Sequence, residues 1–278
     1  MSASLSPCTY TVIVSRLRAA GCVFAEDEAR LLVSAARSPA DLDALVARRA
    51  GGQPLEHVLG WAEFCGRRVA VEPGVFVPRL RTELLVREAA RLVGPGAVAV
   101  DLCCGSGAVG AALVATLGRV ELHAVDIEPA AVRCARRNIA AAGQVYEGDL
   151  YDPLPAELLG RVDVLFANAP YVPSAQIELL PREARIYEPL VALDGGADGL
   201  DVQRRVAAAA LRWLGPGGHL LVETSEPQAS QTTDVLAAEG LAARVVSCAE
   251  LGATVVIGTK PGLPGRGRRE AGLSVVDD

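Results

Sequence analysis

From Arg81 onward the chain switches repeatedly between helical and strand-like hydrophobic patterns, and this switching restricts the fold more than any other feature. Helical TELLVREAARLV leads into strand-like AVAVDL, a glycine-rich turn, helical AVGAALVATL and strand-like VELHAVD. Then come helical PAAVRCARRNIAAAG, a short strand near Val145 and strand-like VDVLFAN. Helical LDVQRRVAAAALRWL, strand-like HLLVET and helical QASQTTDVLAAEG precede two last strands, ARVVSC and TVVIGT. Strands that alternate with helices predict an α/β fold, a mostly parallel sheet covered on both faces. The final two strands are close enough to form an antiparallel hairpin at the sheet edge.

The part before Arg81 is different. Residues 9 to 50 read as short amphipathic helices, one ending at Gly21. Another has Ser38 as N-cap, Pro39 at its first position and Gly51 past its end. Scaffold and substrate recognition are both open for this region. Residues 61 to 77, WAEFCGRRVAVEPGVFV, read as a hairpin or linker. The expected organisation is a helical domain over 1–60, a linker over 61–79 and an α/β domain over 80–260. The tail over 261–278, rich in Gly, Pro and charge, is expected to be disordered.

Composition narrows the function. The chain is 51% hydrophobic, ample for a core, and its net charge of −6 argues against nucleic acid as a direct substrate. The seven cysteines form no CxxC pair, so neither a zinc site nor a redox pair is expected, and no metal is invoked. An odd number in a long chain fits a reducing cytoplasm better than a disulfide framework. The first residues lack the pattern of a signal peptide, and no run approaches the length of a membrane span.

Chemistry concentrates at two strand ends. The first is the turn in VDLCCGSGAVG. Gly105, Gly107 and Gly110 fit GxGxxG, and Asp126 ends the next strand 21 residues after Gly105. Two cofactors compete for such a turn. NAD brings a pyrophosphate, which favours helix-end N–H groups. S-adenosylmethionine has no phosphate and carries a sulfonium and an ammonium, so an acid at the turn suits it. Asp101, immediately before the turn, favours S-adenosylmethionine. Asp126 is the candidate for the ribose hydroxyls, and Asp149 with Leu150 for the adenine border. Cys103 and Cys104 read as small fillers within the turn.

The second strand end is Asn168-Ala169-Pro170-Tyr171, directly after VDVLFA. An amide or exocyclic amine is a weak nucleophile because its lone pair is delocalised. A site can help by positioning it and by hydrogen bonds that favour a pyramidal nitrogen. The Asn168 side-chain oxygen can accept one N–H, the Ala169 carbonyl the other, and Tyr171 can pack on the planar group. Pro170 pushes Ala169 toward extended backbone, so Ala in place of Pro keeps the carbonyl.

These segments together resemble the HemK-type protein-(glutamine-N5) methyltransferases over roughly residues 40 to 260. FVPRLRTELLV resembles the family's Pro-Arg-x-x-Thr-Glu segment, DLCCGSGAVG its cofactor turn, and AVDIEPAAV its ribose strand. GDLYDPL resembles its adenine loop, NAPYVP its Asn-Pro-Pro-Tyr motif, and YEPLVALDGGADGLD the segment after it. The resemblance implies the class I methyltransferase fold, a Rossmann-like seven-stranded sheet with a small N-terminal helical domain. It implies S-adenosylmethionine contact by Cys103, Cys104, Gly105, Ser106, Gly107, Asp126 and Leu150. It implies that Asn168 to Tyr171 hold the glutamine amide of a protein partner; the family's targets are release factors and a ribosomal protein. Two positions depart from the pattern. Leu150 stands where an aromatic residue is common. Ala169 resembles a sister group whose second motif residue is not Pro. Gly51-Gly52-Gln53 repeats the tripeptide methylated in release factors, but it sits at a helix end in the linker and reads as coincidence. The rival functions are an adenine-N6 methyltransferase, a small-molecule methyltransferase, a NAD-dependent oxidoreductase and a non-catalytic cofactor-binding paralogue.

Overall fold

The computed structural model describes residues 7–262. The tail expectation therefore falls almost wholly outside the described residues. Four helices come first: α1 (Pro7–Ala19), α2 (Ala25–Ala35), α3 (Pro39–Ala50) and α4 (Leu55–Leu59). The Ser38 hydroxyl accepts the Asp41 amide at 3.1 Å, and Pro39 opens α3. The cap thereby satisfies a donor that the first turn leaves orphaned. Gly51 is itself the C-cap. Leu17, Ala29, Leu32, Leu42 and Val46 form a separate core for these helices.

A hairpin follows, β1 (Trp61–Phe64) and β2 (Arg67–Ala70). Its turn residues Cys65 and Gly66 have φ of 49° and 66°, the sense that matches strand twist. The Cys65 amide donates to Glu83 at 2.7 Å, tying the hairpin to α5 (Glu83–Leu92). Pairing ends at Ala70, short of residue 77, because Glu72-Pro73-Gly74 turns the chain away.

The remaining elements are β3 (Ala97–Leu102), α6 (Ala108–Leu117), β4 (Val120–Asp126), α7 (Pro129–Ile139), β5 (Gly143–Glu147) and β6 (Val162–Ala167). After them come α8 (Arg182–Tyr187), α9 (Asp201–Trp213), β7 (Leu214–Thr224), α10 (Ala229–Ala238), β8 (Ala242–Cys248) and β9 (Ala253–Thr259). One seven-stranded sheet runs β5-β4-β3-β6-β7-β9-β8. β3 to β7 pair in parallel, and β9 is antiparallel to both β7 and β8. Successive side chains on β3 point to opposite faces. Val98, Val100 and Leu102 join Val206, Ala207 and Ala210 of α9, whereas Ala99 packs with Leu85 of α5 and Ala112 of α6.

Two features refine the sequence expectation. β7 starts at Leu214, ahead of His219, because Leu214 pairs with Val162 before a register shift. The closing hairpin lies at the edge as expected, but its last strand is the inner one: β9 is almost wholly buried and β8 largely exposed. Strand order reverses between β3 and β6. In such sheets ligands bind beyond the strand carboxyl ends at that switch point. The two candidate motifs leave the sheet there.

Candidate active site

The loop after β3 is shaped by β4. Asp126, at the end of β4, accepts the Gly105 amide at 2.7 Å on one oxygen and the Glu128 amide at 2.9 Å on the other. The acid and the turn predicted from sequence spacing are therefore in direct contact. Gly105 and Gly107 have φ of 55° and 74°, which an L side chain rarely adopts. A Cβ on Gly105 would meet nothing within 4 Å, so the backbone there borders open space. Gly107 is not among the residues that line the cavity beside this turn; a Cβ on it would lie 3.0 Å from Ile139 and 3.1 Å from Ala135 of α7. The absence of a side chain there is what lets the turn pack closely on α7.

Asp101 is 2% exposed and accepts the Gly110 amide at 3.0 Å. Burial, with the nearby Asp126 charge, pushes its carboxyl up to about 8 against the pull of that amide. Burial also pushes the Cys103 and Cys104 thiols up, so they are neutral fillers and not thiolates. Ser106 is buried, and its carbonyl accepts from Asn138 of α7 at 2.8 Å.

A cavity of about 390 Å³ opens beside this turn. All the other predicted residues line it: Asp101, Cys103 to Ser106, Asp126, Asp149, Leu150 and Asn168 to Tyr171. Asp149 is paired with Arg205 of α9 at 2.6 Å. Leu150 is buried, and the neighbouring Tyr151 does not replace the missing aromatic. Tyr151 stacks on Trp213 and donates to the Val206 carbonyl, away from the cavity.

Asn168 donates from Nδ2 to the Thr82 hydroxyl at 3.3 Å. Tyr171 donates to Glu223 at 3.4 Å, and burial beside that acid pushes its phenol up to about 12. The Arg81 guanidinium lies 5.9 Å from the Tyr171 ring centroid and bonds Glu223 at 3.2 Å. The segment after Tyr171 folds back on the motif. Val172 bridges to Asp194. Cβ atoms on Gly195 and Gly199 would lie 2.7 Å from the Pro170 carbonyl oxygen and 2.3 Å from that of Tyr171. Only glycine permits this approach. Farther along, Glu188 takes the Val77 amide at 3.1 Å and Arg79 at 2.6 and 2.8 Å.

Sequence reasoning quoted these segments but gave no site role to Arg79, Arg81, Thr82, Glu188 or Glu223. A usable signal existed for Glu223, an acid inside the apolar strand LLVET. Gln53 is elsewhere: its side-chain oxygen accepts from Arg48 at 2.8 Å, within the helical region.

The donor set fits S-adenosylmethionine. Two acids flank the turn, Asp101 buried and Asp126 partly buried, and the lining arginines are engaged: Arg79 with Glu188, Arg81 with Glu223 and Arg205 with Asp149. A pyrophosphate would meet acids there, whereas a cation and ribose hydroxyls would meet acceptors. Among the described residues no group of His, Cys, Asp or Glu is placed to hold a metal ion, and no helix is long and apolar enough to cross a membrane.

Known proteins with similar sequences agree with this geometry. The Methyltransferase small domain family matches residues 67–184. A release factor glutamine methyltransferase of Geobacter sulfurreducens is 41% identical over 199 residues, covering 70% of this chain and 69% of that one. A 4-amino-L-phenylalanine/4-methylamino-L-phenylalanine methyltransferase of Streptomyces pristinaespiralis is 35% identical, covering 73% and 76%. A solved methyltransferase from Pyrococcus furiosus shares the fold, with a TM-score of 0.53 and 16% identity over 70% of this chain and 90% of that one.

Proposed function

The chain belongs to the HemK-type release factor glutamine methyltransferase family, and from that premise we propose how it methylates the side-chain amide nitrogen of a glutamine in a protein substrate. It is an S-adenosylmethionine-dependent enzyme on the class I methyltransferase fold. The observation that supports the site reading is the hydrogen bond from Asn168 Nδ2 to Thr82, which leaves the Asn168 oxygen as the acceptor available to a ligand in the cavity that Asn168 lines.

When bound, S-adenosylmethionine supplies an electrophilic methyl group. Asp126 keeps acceptor capacity on both oxygens for ribose hydroxyls. Asp101 offers charge to the cationic end, and Leu150 an apolar edge to the base. Asn168 Oδ1 and the Ala169 carbonyl each accept one N–H of the glutamine amide, while Tyr171 packs on its plane. These bonds fix the nitrogen in line and favour its pyramidal form. No strong base is needed, because the nitrogen becomes acidic once it has gained a fourth substituent.

The named relatives support a release factor as the protein substrate, and the free cysteines suit a reducing cytoplasm. Ala169 supports reading the chain as one of a sister group whose second motif residue is not Pro. Ala169 as a residue is 1% exposed, so its methyl offers little surface, and the proposed role falls to its carbonyl. The test is transfer of radiolabel from S-adenosylmethionine to a bacterial release factor, read as N5-methylglutamine after digestion. The Streptomyces pristinaespiralis relative favours a second reading, transfer to a small aryl amine, since an aniline nitrogen is also planar. Label on 4-amino-L-phenylalanine with none on release factor selects that reading. Label on neither overturns both.

A further inference from the structure

Glu223 is carried by β7, the strand beside the motif strand β6. Its predecessor Val222 pairs with Ala167, so Glu223 stands next to Asn168 at the strand ends. It is 1% exposed. One carboxylate oxygen holds both Arg81 and the Tyr171 hydroxyl. The other, Oε2, is buried with no partner at hydrogen-bond length.

Thr82 is also buried, at 2% exposure. Its oxygen accepts from Asn168, so the hydroxyl proton still needs an acceptor. Glu223 Oε2 is a buried acceptor without a partner, and Arg81, the residue before Thr82, already bonds the other oxygen of the same carboxylate. A Thr82 hydroxyl committed to Glu223 can only accept from Asn168.

Resting on the assignment of Asn168 to the acceptor amide, we propose that Glu223 is the positioning residue that sets which way the Asn168 carboxamide faces. Acting through Thr82, the acid keeps Nδ2 toward the protein and Oδ1 toward the substrate. Without it, the Thr82 hydroxyl is free to donate to Asn168 Oδ1. The carboxamide can then flip and present its NH2 to the incoming NH2, donor against donor. The same acid also holds the Tyr171 hydroxyl, so two groups of the motif depend on one side chain from another strand.

The test uses the full chain, S-adenosylmethionine and a bacterial release factor. Glu223→Leu should lower kcat by on the order of 100-fold, the usual loss when a preorganised hydrogen bond is removed. Its Kd for S-adenosylmethionine by calorimetry should not change, and Glu223→Gln, which keeps an acceptor, should recover most of the rate. Thr82→Val should also lower kcat, and the double variant should cost clearly less than the sum of the two losses, because both act on the Asn168 amide while Glu223 alone also holds Tyr171. Affinity for a Gly-Gly-Gln peptide with S-adenosylhomocysteine present is read in both backgrounds: Glu223→Leu should weaken it by about tenfold or more in the parent and by less than about threefold in Asn168→Asp, where either oxygen accepts. Equal losses in both backgrounds, additive losses with Thr82→Val, or no rescue by Gln would make Glu223 merely structural and overturn the proposal. If Glu223→Leu fails to fold, the Thr82→Val and Glu223→Gln results still decide. Full activity in Asn168→Ala would instead sink the site assignment itself.

Discussion

At the scale of residues, the site is an arrangement of acceptors. Asn168→Ala should reduce transfer by about 100-fold or more while leaving the calorimetric Kd for S-adenosylmethionine unchanged, since its bonds serve the acceptor amide. Ala169→Pro should keep the rate per folded molecule within about threefold, because the carbonyl is retained. It should also lower the melting temperature, since a larger ring at a position 1% exposed carries an overpacking cost of about 1–3 kcal/mol. Asp101 ties the site to pH. Its folded pKa of about 8 lies above its ordinary 3.8, so the unfolded chain gives up this proton first. Stability from this position is present in full below that ordinary value and is lost as pH rises through about 8. Asp101→Asn should therefore gain melting temperature relative to the parent as pH is raised from 5 to 8.5. A bound cation reverses the preference. S-adenosylmethionine binding at pH 7 should release close to one proton from the parent and none from Asp101→Asn, read by calorimetry in two buffers of different ionisation enthalpy.

At the scale of elements, the sheet and its order of helices were readable because each strand is a short apolar run bounded by a helix pattern. VELHAVD and VDVLFAN end at Asp126 and Asn168, so the strand ends that build the site were visible as polar punctuation. The segment from Val172 to Gly199 was not readable. Its fold depends on contacts with the motif backbone and with Val77 and Arg79, more than a hundred residues away in the case of Glu188. Thr82 and Glu223 were missed for the same reason, since a hydrogen-bonded chain across three segments leaves no local period. The glycines of this segment are testable. Gly199 has φ of 83° and no room for a methyl against the Tyr171 carbonyl. Gly199→Ala should lower both kcat and melting temperature. Gly21→Ala has a similar φ of 90° but open space around it, so it should lower melting temperature only.

At the scale of the whole molecule, the helical region and the α/β sheet meet at Arg49. Its guanidinium holds Glu28 at 2.6 and 3.0 Å, the Gln53 carbonyl at 2.9 Å and Glu183 of α8 at 3.0 Å. The first two contacts lie within the helical region, and the third reaches the segment that covers the cavity. Glu183→Gln should loosen only that third link. A partly exposed pair is worth about 0.2–1 kcal/mol, so amide exchange in α8 should speed up by at most about fivefold while β3 is unaffected. The internal position of β9 has another consequence, in the order of synthesis. During translation β7 emerges with one edge bare, and β8 follows without the neighbour it needs. The sheet cannot close until Thr259 has cleared the ribosome, when β9 inserts between them. Until then the nascent chain presents an unpaired apolar strand edge, the kind of surface that seeds association between chains. Slow elongation just before residue 253 would thus be a hazard for this protein, and a chaperone bound at that stage would protect it.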